Sequence, residues 1–134
     1  MKYLIDSWGS EIIAISMIAM AGPVAYAQSA SDMNAVLFVD SALIQQQTLI
    51  TEINEALYYS PTLQSQLHVQ VIDINPDGHV FNGALDYSYD KSGEWVAKYR
   101  PGKLPYLVCL RGDKTTFRQE LYQASEIREC VTKG

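Results

Sequence analysis

Cysteine is scarce in this chain of 134 residues: there are two, Cys109 and Cys130. They stand too far apart for a zinc ribbon or for a Cys-x-x-Cys redox pair. Histidine is as rare. His68 and His79, even with Asp73 and Asp77, form no recognisable ligand set, so no metal and no cofactor is expected. Basic residues are outnumbered, with 10 Lys and Arg against 15 Asp and Glu and a net charge of −5. Lys and Arg are scattered from Lys91 to Lys133 among acids, and no basic stripe offers a footprint for a phosphate backbone. Nucleic acid is therefore not an expected partner. Long apolar runs are also missing. The run Ile12 to Ala21, broken by Ser16, is shorter than the about 20 residues a bilayer span needs.

What is present reads as one globular domain. Hydrophobic residues make up 48% and charged residues 19%, a composition that buries a core rather than staying disordered. The N-terminus has the layout of a secretory signal: the Ile12–Ala21 run, a Gly22-Pro23 stop, then Ala25-Tyr26-Ala27 as a small-x-small cleavage site. Residues 1–27 are read as the signal, 28–34 as a flexible leader and 35–134 as the domain, exported to the periplasm. No cysteine follows the cleavage point, so no lipoprotein is expected. Lys2 is offset by Asp6 and Glu11, and an uncleaved anchor or a misassigned start is the alternative; membrane contact would come only through that segment.

Along the domain, Ala35 to Val39 is a continuous apolar run suited to a strand covered on both faces. Asp40-Ser41 predicts an N-cap, and the helix it opens is expected to run to about Tyr58. Leu43, Ile50 and Leu57 repeat along its apolar stripe, widened by Leu49, Ile53 and Ala56. Ser60-Pro61 ends it, and Gln64 to Gln66 is read as connection. Leu67 to Ile74 is a second strand, parallel to the first across a crossover. Asn75-Pro76-Asp77-Gly78 is a turn. Phe81, Leu85 and Tyr89, four apart, point to a helix, against which Gly83 counts. Glu94 to Tyr99 reads as a short helix stopped by Pro101-Gly102. A strand from Leu104 to Leu110, a hairpin at Arg111-Gly112-Asp113-Lys114, a strand over Thr115 to Gln119 and a helix from Leu121 to Val131 complete the chain.

Two stretches carry a family resemblance. One is Val71-Ile72-Asp73-Ile74-Asn75-Pro76. The other is Lys98-Tyr99, then Lys103-Leu104-Pro105, the apolar run Tyr106 to Leu110 and the turn Arg111-Gly112-Asp113. Together they resemble thioredoxins, over about Val36 to Val131. The resemblance implies an α/β, thioredoxin-like fold: a mixed four-stranded sheet flanked by helices in the order β-α-β-α-β-β-α. Where that family carries Cys-x-x-Cys, this chain has Asp40-Ser41-Ala42-Leu43-Ile44. The stretch between Pro76 and Lys98 is longer than in a minimal thioredoxin, which implies an insertion or a longer second helix near the site edge. The family also places a cis-proline beside its cysteines and pairs the preceding residue with an extended peptide. Here those positions are Pro105 and Leu104.

Each candidate residue has a plainer reading beside the functional one. Pro105 is cis and borders a peptide groove, or it only opens a strand where no ladder donor is needed. Cys109 and Cys130 form a structural disulfide suited to an exported chain, or remain two buried thiols. A redox role fits them least, since one lies in an apolar strand and the other at a helix C-terminus. Ser41 stands near the missing nucleophile, but no base is identifiable and a cap explains it. The Arg-Gly-Asp triplet at 111–113 is best explained as a hairpin turn. Tyr87, Tyr89, Trp95 and Tyr99 either flank the groove as binding anchors or, for Trp95 and Tyr99, pack a short helix onto the core.

Three functions follow. The first is a redox-inactive exported protein of a Gram-negative envelope acting by contact with another protein. Its size and layout are similar to exported thioredoxin-like proteins of F-type conjugation and related secretion systems, which serve apparatus assembly. The second is a thiol–disulfide exchange enzyme using a single cysteine. The third is a peptide-binding periplasmic chaperone using the Leu104-Pro105 edge.

Overall fold

A computed structural model of the chain describes residues 33–78, 81 and 83–134. The expected signal, the leader up to residue 32, and His79 lie outside the described residues. The elements are β1 (Met33–Val39), α1 (Ile44–Tyr58), α2 (Pro61–Gln66), β2 (His68–Asp73), β3 (Asp86–Tyr89), α3 (Glu94–Tyr99), β4 (Tyr106–Arg111), β5 (Lys114–Glu120), a 3-10 helix (Ala124–Arg128) and α4 (Glu129–Lys133).

The five strands form one sheet in the order β3-β2-β1-β4-β5. β1 runs parallel to β2, with Val39 opposite Asp73, and antiparallel to β4, with Phe38 opposite Tyr106. β3 is parallel to β2, and β5 antiparallel to β4. The apolar run of β1 therefore sits at the centre of the sheet. Ala35, Leu37 and Val39 face the larger core with Val69, Val71, Leu107 and the inner side of α1, while Val36 and Phe38 face a smaller cluster under α3 with Ile72, Val108 and Leu110.

The mixed α/β fold read from the sequence is present, with one strand more than the four expected. The extra strand comes from the inserted stretch. Phe81, Leu85 and Tyr89 are four apart, but 86–89 is extended, because Asp-Tyr-Ser-Tyr alternates with period two. Tyr87 and Tyr89 are thereby placed on the face of Val71 and Asp73 to which they pair.

Four local readings are also corrected. The N-cap of α1 is Leu43, with no side-chain cap, rather than Asp40-Ser41; Leu43 is exposed and leaves the predicted stripe. The Asp40 and Ser41 side chains bond within the loop and to the turn after β2 instead. Gln64–Gln66 belong to α2, which starts because Ser60 accepts from the Leu63 amide at 3.2 Å and Pro61 needs no donor in the first turn. The closing helix is split: Gln123 and Glu126 form a capping box that starts the 3-10 segment, and α4 follows it. β1 also begins at Met33, ahead of the Ala35 expected.

Candidate functional site

The C-terminal ends of β1, β2 and β3 and the start of β4 meet along one edge of the sheet. That edge carries the loop 40–43, the turn 75–78 and the Leu104-Pro105 bond, which is cis, the reading that the thioredoxin resemblance implies.

Asp73 organises this edge. It closes β2 and is 0% exposed. Its Oδ1 accepts from the Ser41 amide at 3.1 Å and the Asn75 amide at 2.9 Å, and its Oδ2 accepts from the Tyr87 hydroxyl at 2.6 Å. A buried carboxylate is tolerated when several donors converge on it. The loop before α1 is closed by further bonds. The Asp40 amide donates to Gln46 Oε1 at 2.7 Å, the Ala42 amide to Asp40 Oδ1 at 3.0 Å, and the Leu43 amide to the Asp40 carbonyl at 3.1 Å. Asn75 Nδ2 donates to Ser41 Oγ at 3.0 Å. The amides of residues 40–43 are thus all occupied, and none is free to face an anion or an oxyanion.

Gly78 folds back over this network. A Cβ there would come within 2.6 Å of Asp73 Oδ2 and against the Tyr89 ring, so glycine is required by close approach. Tyr87 and Tyr89 both point to Asp73's side of the sheet, but only Tyr87 bonds to it; the Tyr89 hydroxyl is buried without a partner. The Tyr87 hydroxyl is held well above its ordinary pKa, first by burial and then by its bond to Asp73. Burial and the Asp73 charge raise Tyr89 as well.

The predicted aromatic group divides between the two faces. Tyr87 stacks on Phe81 at 5.7 Å and meets Tyr89 at 5.6 Å. Trp95 stacks on Tyr99 at 5.9 Å in the cluster under α3, together with Leu104 and Tyr106. α3 is pinned at both ends. Asp90 accepts from the Trp95 and Val96 amides, and Arg118 of β5 donates to the Tyr99 and Arg100 carbonyls at 2.8 and 2.7 Å.

Leu104 and Pro105 are half-buried. The Pro105 carbonyl accepts from the Leu121 amide at 2.8 Å, while the Leu104 amide and carbonyl make no backbone hydrogen bond among the described residues. The same edge exposes Leu43 at 48%, Ile44 at 67% and Ile74 at 38%. These three were not singled out from the sequence, where Leu43 reads as part of a buried stripe.

Cys109 of β4 and Cys130 of α4 are joined by a disulfide, with Cα atoms 5.3 Å apart and both residues fully buried. No cysteine is free. The bond lies near the opposite end of the sheet, where Cys109 pairs with Ala35. His68 is also remote from the edge, bonded to Asp86 at 2.7 Å and Asn34 at 3.2 Å. Ser41 therefore has no histidine beside it among the described residues.

No protein-family model matches the chain, and no curated protein matches it. Solved structures do. StoA from Bacillus subtilis superposes with a TM-score of 0.61 at 9% identity, covering 76% of this chain and 84% of its own. The exposed lipoprotein thioredoxin Etrx1 of Streptococcus pneumoniae gives 0.61 at 10% identity, with coverage of 76% and 84%. Thioredoxin-2, described as a component of malaria parasite protein secretion machinery, gives 0.52 at 11% identity, with 81% and 87%. The fold is thioredoxin-like.

Proposed function

We propose that this chain is a thioredoxin-like domain that binds a protein partner and carries out no thiol chemistry. The observation that carries this reading is the pairing of an unbonded Leu104 backbone beside the cis Pro105 with exposed Leu43, Ile44 and Ile74 on the same edge. An open backbone next to apolar side chains suits an extended segment added alongside it, with main-chain bonds for affinity and apolar contacts for choice. The thiol chemistry has no place there: Asp40 to Leu43 fill the position of the cysteines, and the two cysteines present are bonded and buried elsewhere. A single-cysteine exchange enzyme would need a free, accessible thiolate.

The compartment we propose is extracytoplasmic, the periplasm if the host is Gram-negative. A structural disulfide in a small domain belongs in an oxidising setting, and the apolar N-terminal run with its small-x-small end provides an export signal. Etrx1 is itself described as exposed. A role in assembling a conjugative or secretion apparatus is the finer proposal. It rests on similarity of size and layout and on one fold relative described as part of secretion machinery.

The test is in-cell crosslinking and affinity capture from envelope membranes with Leu104→Asp and Ile44→Asp variants. Capture of the partner should be lost while the melting temperature is kept. Unchanged capture by both variants rejects the edge as the binding surface. An insulin-reduction assay should show no activity, and turnover comparable to a thioredoxin would reject the redox-inactive reading.

A further inference from the structure

The loop that leads into Leu104 is closed on itself. At one end of it, Arg118 of β5 donates to the Tyr99 and Arg100 carbonyls. At the other, Arg118 Nε donates to the Tyr106 hydroxyl at 3.1 Å, and its guanidinium lies over the Tyr106 ring. Between the two ends, Gly102 comes so close to Tyr106 that a Cβ would stand 2.9 Å from the ring. Tyr99, Leu104 and Tyr106 all pack on the cluster under α3, so the loop, the helix and Leu104 share one face of the sheet.

That loop gathers positive charge in a chain whose net charge is −5. Lys98, Arg100 and Lys103 are exposed, and none of the three makes an ion pair among the described residues. Glu94 stands one helical turn before Lys98, but its carboxylate accepts from Ser92 Oγ at 3.0 Å. Glu120, opposite Tyr106, accepts from the Tyr122 hydroxyl at 2.6 Å. Arg118 is committed to the loop itself and is not counted with the three. They border the Leu104 amide and carbonyl, which make no backbone hydrogen bond among the described residues.

We infer that the polypeptide held at the Leu104 edge is acidic: an extended segment whose main chain pairs with Leu104 and whose Asp or Glu side chains meet Lys98, Arg100 and Lys103. Complementary charge of this kind sets the choice of partner, while main-chain bonds hold the strand. This inference rests on the proposed protein-binding function, which it extends to the partner's chemistry. Two observations favour a polypeptide over an anionic lipid surface. The open amide and carbonyl of Leu104 call for a main chain. A bilayer also meets the net negative charge of the whole protein, whereas a short segment senses only charges within about 8 Å at physiological salt.

The test is selection from a random, cysteine-free peptide library by the full chain, at low and at high salt. Retained peptides should be enriched in Asp and Glu beside an apolar residue, and high salt should weaken the enrichment. A retained peptide should bind about five- to tenfold tighter than the same peptide with its acids replaced by Asn and Gln. Lys98→Glu/Lys103→Glu, a change of two exposed side chains, should keep the melting temperature and retain Lys- and Arg-rich peptides instead. Lys103→Gln should lower the acidic preference severalfold, and it carries the test if the double variant is unstable. No retained peptide, no acidic enrichment, or an acidic enrichment that survives these substitutions overturns the inference. So does binding to phosphatidylglycerol vesicles without selection of acidic peptides, which marks a surface for lipid headgroups. If the acidic preference fails while Leu104→Asp still loses the envelope partner, the charge assignment falls and the protein-binding function stands.

Discussion

Near the start of β1, Cys109 and Cys130 bind the last helix to the centre of the sheet, among Ala35, Ile127 and other apolar side chains. At the opposite end, where β1 and β2 finish, there is no covalent tie. One buried carboxylate, Asp73, gathers two loop amides and a tyrosine hydroxyl from three separate segments. The first end is held by one covalent bond and by apolar contacts that are not directional. The second is directional, since each donor must meet its own lone pair. In the thioredoxin resemblance the cysteines stand at the directional end. In this chain the two cysteines hold the other end, and polar bonds shape the loop over residues 40–43.

Removing the disulfide with a Cys109→Ala/Cys130→Ala double variant should have the largest effect, a loss of about 2–5 kcal/mol in urea unfolding, with the Ser41 and Asn75 amide resonances unchanged. Perturbed loop resonances would show that the two ends are coupled. Asp73→Asn should cost about 1.5–3 kcal/mol and shift those same resonances, because an amide cannot accept from all three donors. Gly78→Ala should cost about 1–3 kcal/mol by overpacking Asp73 and Tyr89. Tyr87→Phe should cost about 1–2 kcal/mol. Tyr89→Phe should stay within about 0.5 kcal/mol of wild type or gain stability, since its hydroxyl is buried without a partner. Equal losses for the two tyrosines would contradict the Asp73-centred network.

A pH series sharpens the same contrast. Both tyrosine pKa values are raised in the fold, so the folded state keeps protons that the unfolded state loses above about pH 10. This stabilisation is complete below about pH 10 and declines as pH rises above it. The urea midpoint followed from about pH 8 to about pH 11 should fall less steeply for Tyr87→Phe than for wild type. A parallel fall would assign the loss to other groups.

The sheet's central and hairpin strands were legible in the sequence. The runs 35–39, 67–74 and 104–110 are apolar and β-branched, and the Asn-Pro and Arg-Gly-Asp turns bound them. For Cys109 and Cys130 and for Pro105 the sequence left two readings each, and the bonded pair and the cis bond are the ones found. β3 was not. Its four residues are too few to outweigh the spacing of Phe81, Leu85 and Tyr89, and its extended form is fixed by pairing with β2. The loop before α1 misled for a related reason. Asp40-Ser41 is a good cap locally, but the Ser41 amide bonds to Asp73, 32 residues on, and the helix starts later. That delay leaves Leu43 and Ile44 in solvent, so the apolar part of the candidate site was hidden inside what looked like a core stripe. Asp73 stood in the Val71–Pro76 motif, yet nothing local marks a strand-end aspartate as the acceptor for Ser41, 32 residues before it, and Tyr87, 14 residues after it.

The position of β1 sets the order in which the chain can complete itself. It is the middle strand, yet its partner on one side is β2, with Asn34 opposite His68, and on the other β4, with Phe38 opposite Tyr106 and Met33 opposite Arg111. As the chain emerges from its N-terminal side, the most apolar strand appears first and waits longest for its second neighbour. Closing such distant pairs is slow, and an unpaired Val-Leu-Phe-Val run is open to association with other chains in the interval. The bond between Cys109 of β4 and Cys130 of α4 then holds the last helix against the sheet that those late pairings complete.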